Sequence, residues 1–283
     1  DGNGYTVTVY INKSGVSNIG LFTYVADGSS VKNITIDGYI KAKANVGGLA
    51  GNIGNADISK GASFENCVNK ATITGESSGQ RIGGIIGDSY TYTKKVTVTF
   101  TNCTNYGKIT GRSTWVGGIT GVANSTVYIT RCANYGSVTG SSTVGGIIGG
   151  SYSVVTECYN AGSVTGGSAG GIMGSNNNST ADTAKNLYNS GVVNGSASGG
   201  IAGYDNYGNS GNAVFENCYN SYVFENDASA IFGKLSHTFS SGGVEKGPFY
   251  PVGKNCYYLS ENNETGYDYE GSENQDTTPV SSQ

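Results

Sequence analysis

Apolar residues recur along this chain in a fixed long-range order rather than at helical spacing. One block reads Phe64-Glu65-Asn66-Cys67-Val68-Asn69-Lys70-Ala71-Thr72-Ile73-Thr74-Gly75, and a second reads Phe100-Thr101-Asn102-Cys103-Thr104-Asn105-Tyr106-Gly107-Lys108-Ile109-Thr110-Gly111. The block returns around Cys132, Cys158, Leu187 and Cys218, with worn copies at Ile34 and Cys256. A glycine signature follows each one: Gly47-Gly48-Leu49-Ala50-Gly51, Gly83-Gly84-Ile85-Ile86-Gly87, Gly117-Gly118-Ile119-Thr120-Gly121, and again from Gly145, Gly170 and Gly199. Ser229-Ala230-Ile231-Phe232-Gly233 is a worn last copy, and Ile19-Gly20-Leu21-Phe22 a truncated first one. A unit this short, without a helical period, cannot enclose a core alone. It must stack on copies of itself.

Aligned on the Cys position, the blocks form columns. Three residues before it stand Val31, Phe64, Phe100, Ile129, Val155, Ala184 and Phe215; six after it stand Ile40, Ile73, Ile109, Val138, Val164, Val193 and Phe224. Both columns are expected to point inward and stack at strand spacing, about 4.8 Å per coil. Two after it stand Asn69, Asn105, Asn134, Asn160, Asn189 and Asn220, whose amides should bond from coil to coil and satisfy turn backbone. Glycine four and eight after it suits corners that need a positive φ. The glycine signature reads as a bend, because Val46 and Leu49, or Ile82 and Ile85, are apolar three residues apart. The expected fold is all-β, a right-handed parallel β-helix of about eight coils, roughly 40 Å tall.

Composition narrows the function classes. Gly supplies 47 of 283 residues, more than twice the usual share of about 7 %, yet without the three-residue period of collagen. The net charge of −4 gives no long-range attraction for nucleic acid. No apolar run reaches the roughly 20 residues of a membrane-spanning helix. The 21 Tyr and the regular Ile and Val argue against disorder. Residues 1–30 read as an opening coil, 31–233 as the repeat stack, 234–259 as a C-terminal cap, and 260–283, rich in acids, as a polar tail or linker. The chain reads as one monomeric domain of a longer protein.

The Gly-Gly-Ile/Leu-x-Gly signature after an Asn-Cys-x-Asn-x-Gly-x-Ile/Val-Thr-Gly block resembles the GLUG-motif repeat family, over about residues 18 to 235. That resemblance implies a bacterial extracellular or wall-attached chain: such repeats occur in adhesin-like proteins and in non-catalytic parts of some immunoglobulin A-cleaving metallopeptidases. It implies no particular ligand.

Candidate chemistry is sparse. Cys67, Cys103, Cys132, Cys158, Cys218 and Cys256 share one repeat position with Ile34 and Leu187, which reads as buried thiols rather than a disulfide framework. With no CxxC pair and a single His, neither a metal site nor a cofactor is expected. His237 beside Ser240 and Ser241 lacks the context of a nucleophile elbow. A polysaccharide lyase or hydrolase on a β-helix would need convergent acids, whereas Asp37, Asp57, Glu76, Asp88, Glu157 and Asp182 share no column. Tyr159, Tyr188, Tyr219 and Tyr257 follow the Cys position at once, while Tyr106 and Tyr135 come three after it. Exposed rings there could hold a glycan or protein partner, or simply clad the stack. Loop residues Tyr90, Tyr92 and Tyr152, with Trp115, form a less regular set. The leading expectation is adhesion or ligand display; the alternatives are the carbohydrate-active enzyme and a plain stalk.

Overall fold

The computed structural model describes residues 1–53, 60–77, 81–89, 96–112, 115–123, 127–151, 153–176, 184–205, 214–222, 231–235, 237–241, 244–249, 252–259, 267–268 and 277–280. Among these there is no helix, and hence none long and apolar enough to cross a membrane. The chain winds as a β-solenoid with three walls. One coil shows the plan. Val98–Thr101 lies in the first wall; Thr104–Asn105, Ile109–Gly111 and Trp115–Gly117 follow one another along the second; Thr120–Ala123 lies in the third. Each strand pairs in parallel with its equivalents one repeat before and after, as Phe100 does with Phe64 and Ile129. Such pairing is forced once every repeat returns the chain to the same place.

The expected inward columns are present, but they fill two cores. Phe64, Phe100, Ile129, Val155 and Phe215 pack with the Cys column and with Leu49, Ile85, Ile119, Ile147 and Ile172. Phe64 and Phe100 stack at 5.0 Å. Of the residues six after the Cys position, Ile40, Ile73, Ile109, Val138, Val164 and Val193 pack instead with Val46, Ile82, Val116 and Val144, while Phe224 lies outside the described residues. The glycine signature therefore sends its two apolar residues to opposite sides, where the sequence suggested one interior.

The asparagine column stands at this boundary, fully buried. Each side-chain N–H2 donates to the carboxamide oxygen of the next coil, at 2.7 Å from Asn69 through Asn160 and 2.8 Å from Asn189. Its second proton goes to a backbone carbonyl two residues on, Gly107 for Asn105 and Gly136 for Asn134. The column thus closes turn backbone that neither core can satisfy.

The second glycine of the signature makes room for the next coil's corner carbonyl and for this amide. A Cβ on Gly84 would lie 2.1 Å from the Gly118 carbonyl oxygen and 2.8 Å from Asn105 Oδ1, and one on Gly118 would lie 2.8 Å from Asn134 Oδ1. Where Asn is absent, that glycine is absent too. Ile36 takes the column position beside Asn69, and the corner before it shortens to Gly20-Leu21. At the other end Tyr258 aligns with Asn220, and the signature before it reads Ser229-Ala230.

The glycines four after the Cys position correct the turn expectation. Gly38 has φ 99°, but Gly107, Gly136, Gly162 and Gly191 have no positive φ. They are glycine because coils touch there: a Cβ on Gly107 would sit 2.0 Å from the Ala71 carbonyl oxygen. The left-handed corner belongs to the residue before the Cys position. Asn33, Asn66, Asn102, Arg131, Glu157, Asn186, Asn217 and Asn255 all have φ of 50 to 55°. Asn tolerates that conformation better than other side chains with a Cβ. Here it also forms an exposed second ladder, Asn66 to Asn33, Asn102 to Asn66 and Asn217 to Asn186.

Arg131 and Glu157 replace two of its asparagines: Arg131 Nε still donates to Asn102 Oδ1 at 3.0 Å, and its guanidinium forms an exposed pair with Glu157 3.7 Å away. Such a pair contributes about 1 kcal/mol at most, less than the left-handed strain of two long side chains. The double substitution Arg131→Asn/Glu157→Asn is expected to raise stability by about 1 kcal/mol. A higher urea midpoint would show it; an unchanged or lower one would mean the ion pair outweighs the strain.

The ends differ from the middle. The opening strand, Thr6–Ile19, carries a bulge at Lys13–Ser17 against Ala42–Ala44, with Gly15 at φ 93°. A bulge bearing Lys disfavours pairing with a foreign strand at such an edge. Beyond Phe232–Leu235, an antiparallel hairpin of His237–Ser241 with Val244–Phe249 leaves the walls. Val252–Lys254 and Cys256–Leu259 then rejoin them, so the segment read as a cap is part hairpin and part stack. Within the acidic stretch, Thr277–Val280 pairs with Cys256–Leu259 and Tyr267–Asp268 with Phe232–Leu235.

Candidate binding face

The outward side of the second wall carries the tyrosines, and it merges the two sets that the sequence separates. Tyr106 and Tyr135 stack at 5.0 Å with planes 8° apart. Tyr135 meets Tyr159 edge-on at 5.7 Å and 72°. Tyr159 stacks on Tyr188 at 5.1 Å, and Tyr188 on Tyr219 at 5.2 Å. Five rings form one unbroken strip.

Residue size explains the change of column. Where the ring stands three after the Cys position, the place one after it holds Thr104 or Ala133. Where the ring stands one after it, the place three after it holds Ala161, Ser190 or Ser221. Each coil thus contributes one large side chain to the same lane, from either of two positions that share a face. The crossing from one position to the other, between Tyr135 and Tyr159, is where stacking gives way to the edge contact.

The strip remains half open. Tyr106 is 53 % and Tyr135 46 % exposed. Near-parallel rings at these separations are offset, so each covers only part of its neighbour's face. The hydroxyls of Tyr159 and Tyr188 share hydrogen bonds with Ser190 at 2.8 Å and Ser221 at 3.0 Å, in each case one coil on. These bonds hold the rings down along the wall. Beside the strip run hydroxyl columns, with Thr74, Thr110, Thr139 and Thr165 in register.

Trp115 is elsewhere. It lies in another column of the same wall, its ring over Gly150, whose Cβ would fall 2.5 Å from the indole Cδ1. The Arg81 guanidinium stands 5.3 Å from the ring centroid and pairs at 2.8 Å with buried Asp88. Asp88 is therefore held within Ile86–Ser89 of the third wall.

The other described acids do not gather. Asp37 accepts a hydrogen bond from the Gly38 amide on the second wall, Glu76 pairs with Lys41, and Glu157 occupies the outer corner. Hydrogen bonding to the Lys41 ammonium holds the Glu76 carboxyl below its ordinary range. The six thiols are free and buried, most donating to a backbone carbonyl of the preceding coil, as Cys132 does to Phe100. Burial pushes the Cys132 and Cys218 thiols well up, so they stay protonated. Among the described residues no group of three or more His, Cys, Asp or Glu is placed to hold a metal ion. Tyr90, Tyr92, Tyr152, Asp57 and Asp182 lie outside the described residues, and His237 is described by its backbone alone.

The sequence contained the signal for the strip, since Tyr recurs at two positions of equal parity. It contained the outer asparagine ladder too, as the Asn before four of the six Cys. Comparison with protein-family models, with curated proteins and with solved structures finds no match.

Proposed function

We propose that this chain is a non-catalytic display domain of a bacterial surface or secreted protein, adhering to a partner through the tyrosine strip. One observation carries the reading: five tyrosines in continuous contact form a half-open aromatic lane along the flat wall of a rigid stack. Aromatic rings already held in place lose little entropy on binding, and a lane that repeats once per coil lets weak contacts add. The surface location rests on the repeat resemblance, and the partner would be a cell-surface glycan or protein.

The second reading, a structural stalk, draws on the same geometry: rings that stack on each other and bond to Ser190 and Ser221 also cover the wall beneath. Binding of the purified domain to glycan, mucin and matrix-protein arrays separates the two. Adhesion predicts a saturable hit that Tyr188→Ala weakens at least about tenfold, the effect of losing one interface anchor. A stalk predicts no hit from a folded sample, with the same substitution lowering only the unfolding midpoint.

A further inference from the structure

At its N-terminal end the tyrosine lane meets positive charge. Tyr106 is the most exposed ring of the five, and Tyr135 covers only one of its faces. In the column below Tyr106 stands Lys70, one coil earlier, and two residues along its own strand direction stands Lys108 on the same face. Both lysines are exposed, and among the described residues neither forms an ion pair. The surrounding charges sharpen this. Lys43 adds positive charge on the same strand as Lys41, Glu76 engages Lys41 and also attracts Arg112, and Asp37, below Lys70, accepts from the Gly38 amide. The balance of this half of the wall is positive on a chain whose net charge is −4.

We infer that the lane binds a linear anionic polysaccharide, a uronate polymer lying along the solenoid axis with its carboxylates on Lys70 and Lys108 and its sugar faces on Tyr106 and the rings beyond. This rests on the adhesive reading of the strip and names the class of partner. Three features select that chemistry. Rings offer apolar faces to pyranose C–H groups, and ammonium groups beside them select carboxylates. The rise per coil, about 4.8 Å, is close to that of an extended, diequatorially linked glycan, so successive sugars meet successive coils. A nucleic acid fits less well: its denser charge needs a long basic track, and this track ends where Tyr159, Tyr188 and Tyr219 stand beside Ala161, Ser190 and Ser221.

The test compares two hexamers of identical linkage that differ only in charge: cellohexaose, and the hexamer of β-1,4-linked glucuronic acid. Calorimetry at low salt is expected to give at least tenfold tighter binding of the acid hexamer, a preference that shrinks with added salt. Lys70→Ala/Lys108→Ala is expected to abolish the preference while leaving the fold intact, since both side chains are solvent-facing. Equal affinity for the two hexamers would overturn the anionic partner and leave the tyrosine lane standing. Failure of the acid hexamer to bind, or equal binding of a single-stranded oligonucleotide, would also overturn it.

Discussion

Gly118→Ala is expected to destabilise the stack by more than about 4 kcal/mol, beyond the usual range for one substitution. The added Cβ would lie 1.9 Å from the Gly146 carbonyl oxygen and 2.8 Å from Asn134 Oδ1. Neither atom can yield. The carbonyl belongs to the next coil's corner, and the amide is held by three hydrogen bonds of its own. Relief would require the two coils to part, and every wall shares their spacing. Gly140→Ala is the control. Its Cβ would meet the Cγ2 methyls of Val116 and Val144, each at 2.7 Å, and no backbone that close. Side chains can rotate or shift, so the cost there should stay near the 1–3 kcal/mol typical of overpacking. Urea unfolding followed by circular dichroism decides the matter. Equal midpoints for the two variants would mean that the signature glycine is not set by coil-to-coil contact.

That contrast marks where sequence reasoning succeeds and where it stops. The repeat period, the stacked apolar columns and the buried thiols follow from one-dimensional alignment, because a solenoid places equivalent residues in equivalent surroundings. What alignment along one chain cannot supply is which column faces which. The glycines at 107 and 136 look like turn residues, yet the backbone of the preceding coil, not their own φ, excludes a side chain. The true left-handed corner was legible as a run of Asn, which a reading centred on Cys passes over. Two cores instead of one, and one tyrosine lane instead of two columns, are both facts about facing across the coil. The tie between Asn and the second glycine is the exception. It can be checked in the sequence alone, since Ile36 and Tyr258 each follow a signature that lacks that glycine.

The cost of breaking the asparagine column should depend on where it is broken. Asn134→Ala removes the acceptor of Asn105, the donor to Asn160 Oδ1 and the donor to the Gly136 carbonyl, all within a dry interior. Three groups lose partners they cannot replace, at about 1–3 kcal/mol for each buried polar atom left unsatisfied. A loss of about 3–5 kcal/mol is expected, the sum being eased by local relaxation. Asn69 begins the column. Its carboxamide oxygen has no partner, because Ile36 stands where a donor would be. Asn69→Ala therefore removes an unsatisfied buried acceptor along with two donated bonds, to Ala71 and Asn105. The expected loss is smaller than for Asn134→Ala by about 1–2 kcal/mol. Chemical denaturation of the two variants reads the difference directly. A middle substitution no costlier than the terminal one would mean that the amides do not act as a chain, and that each is held by its own turn alone. The predicted order follows from direction: Asn69 to Asn189 each give to the next coil, and Asn105 to Asn220 each receive from the one before, so only the first can be lost without orphaning a donor.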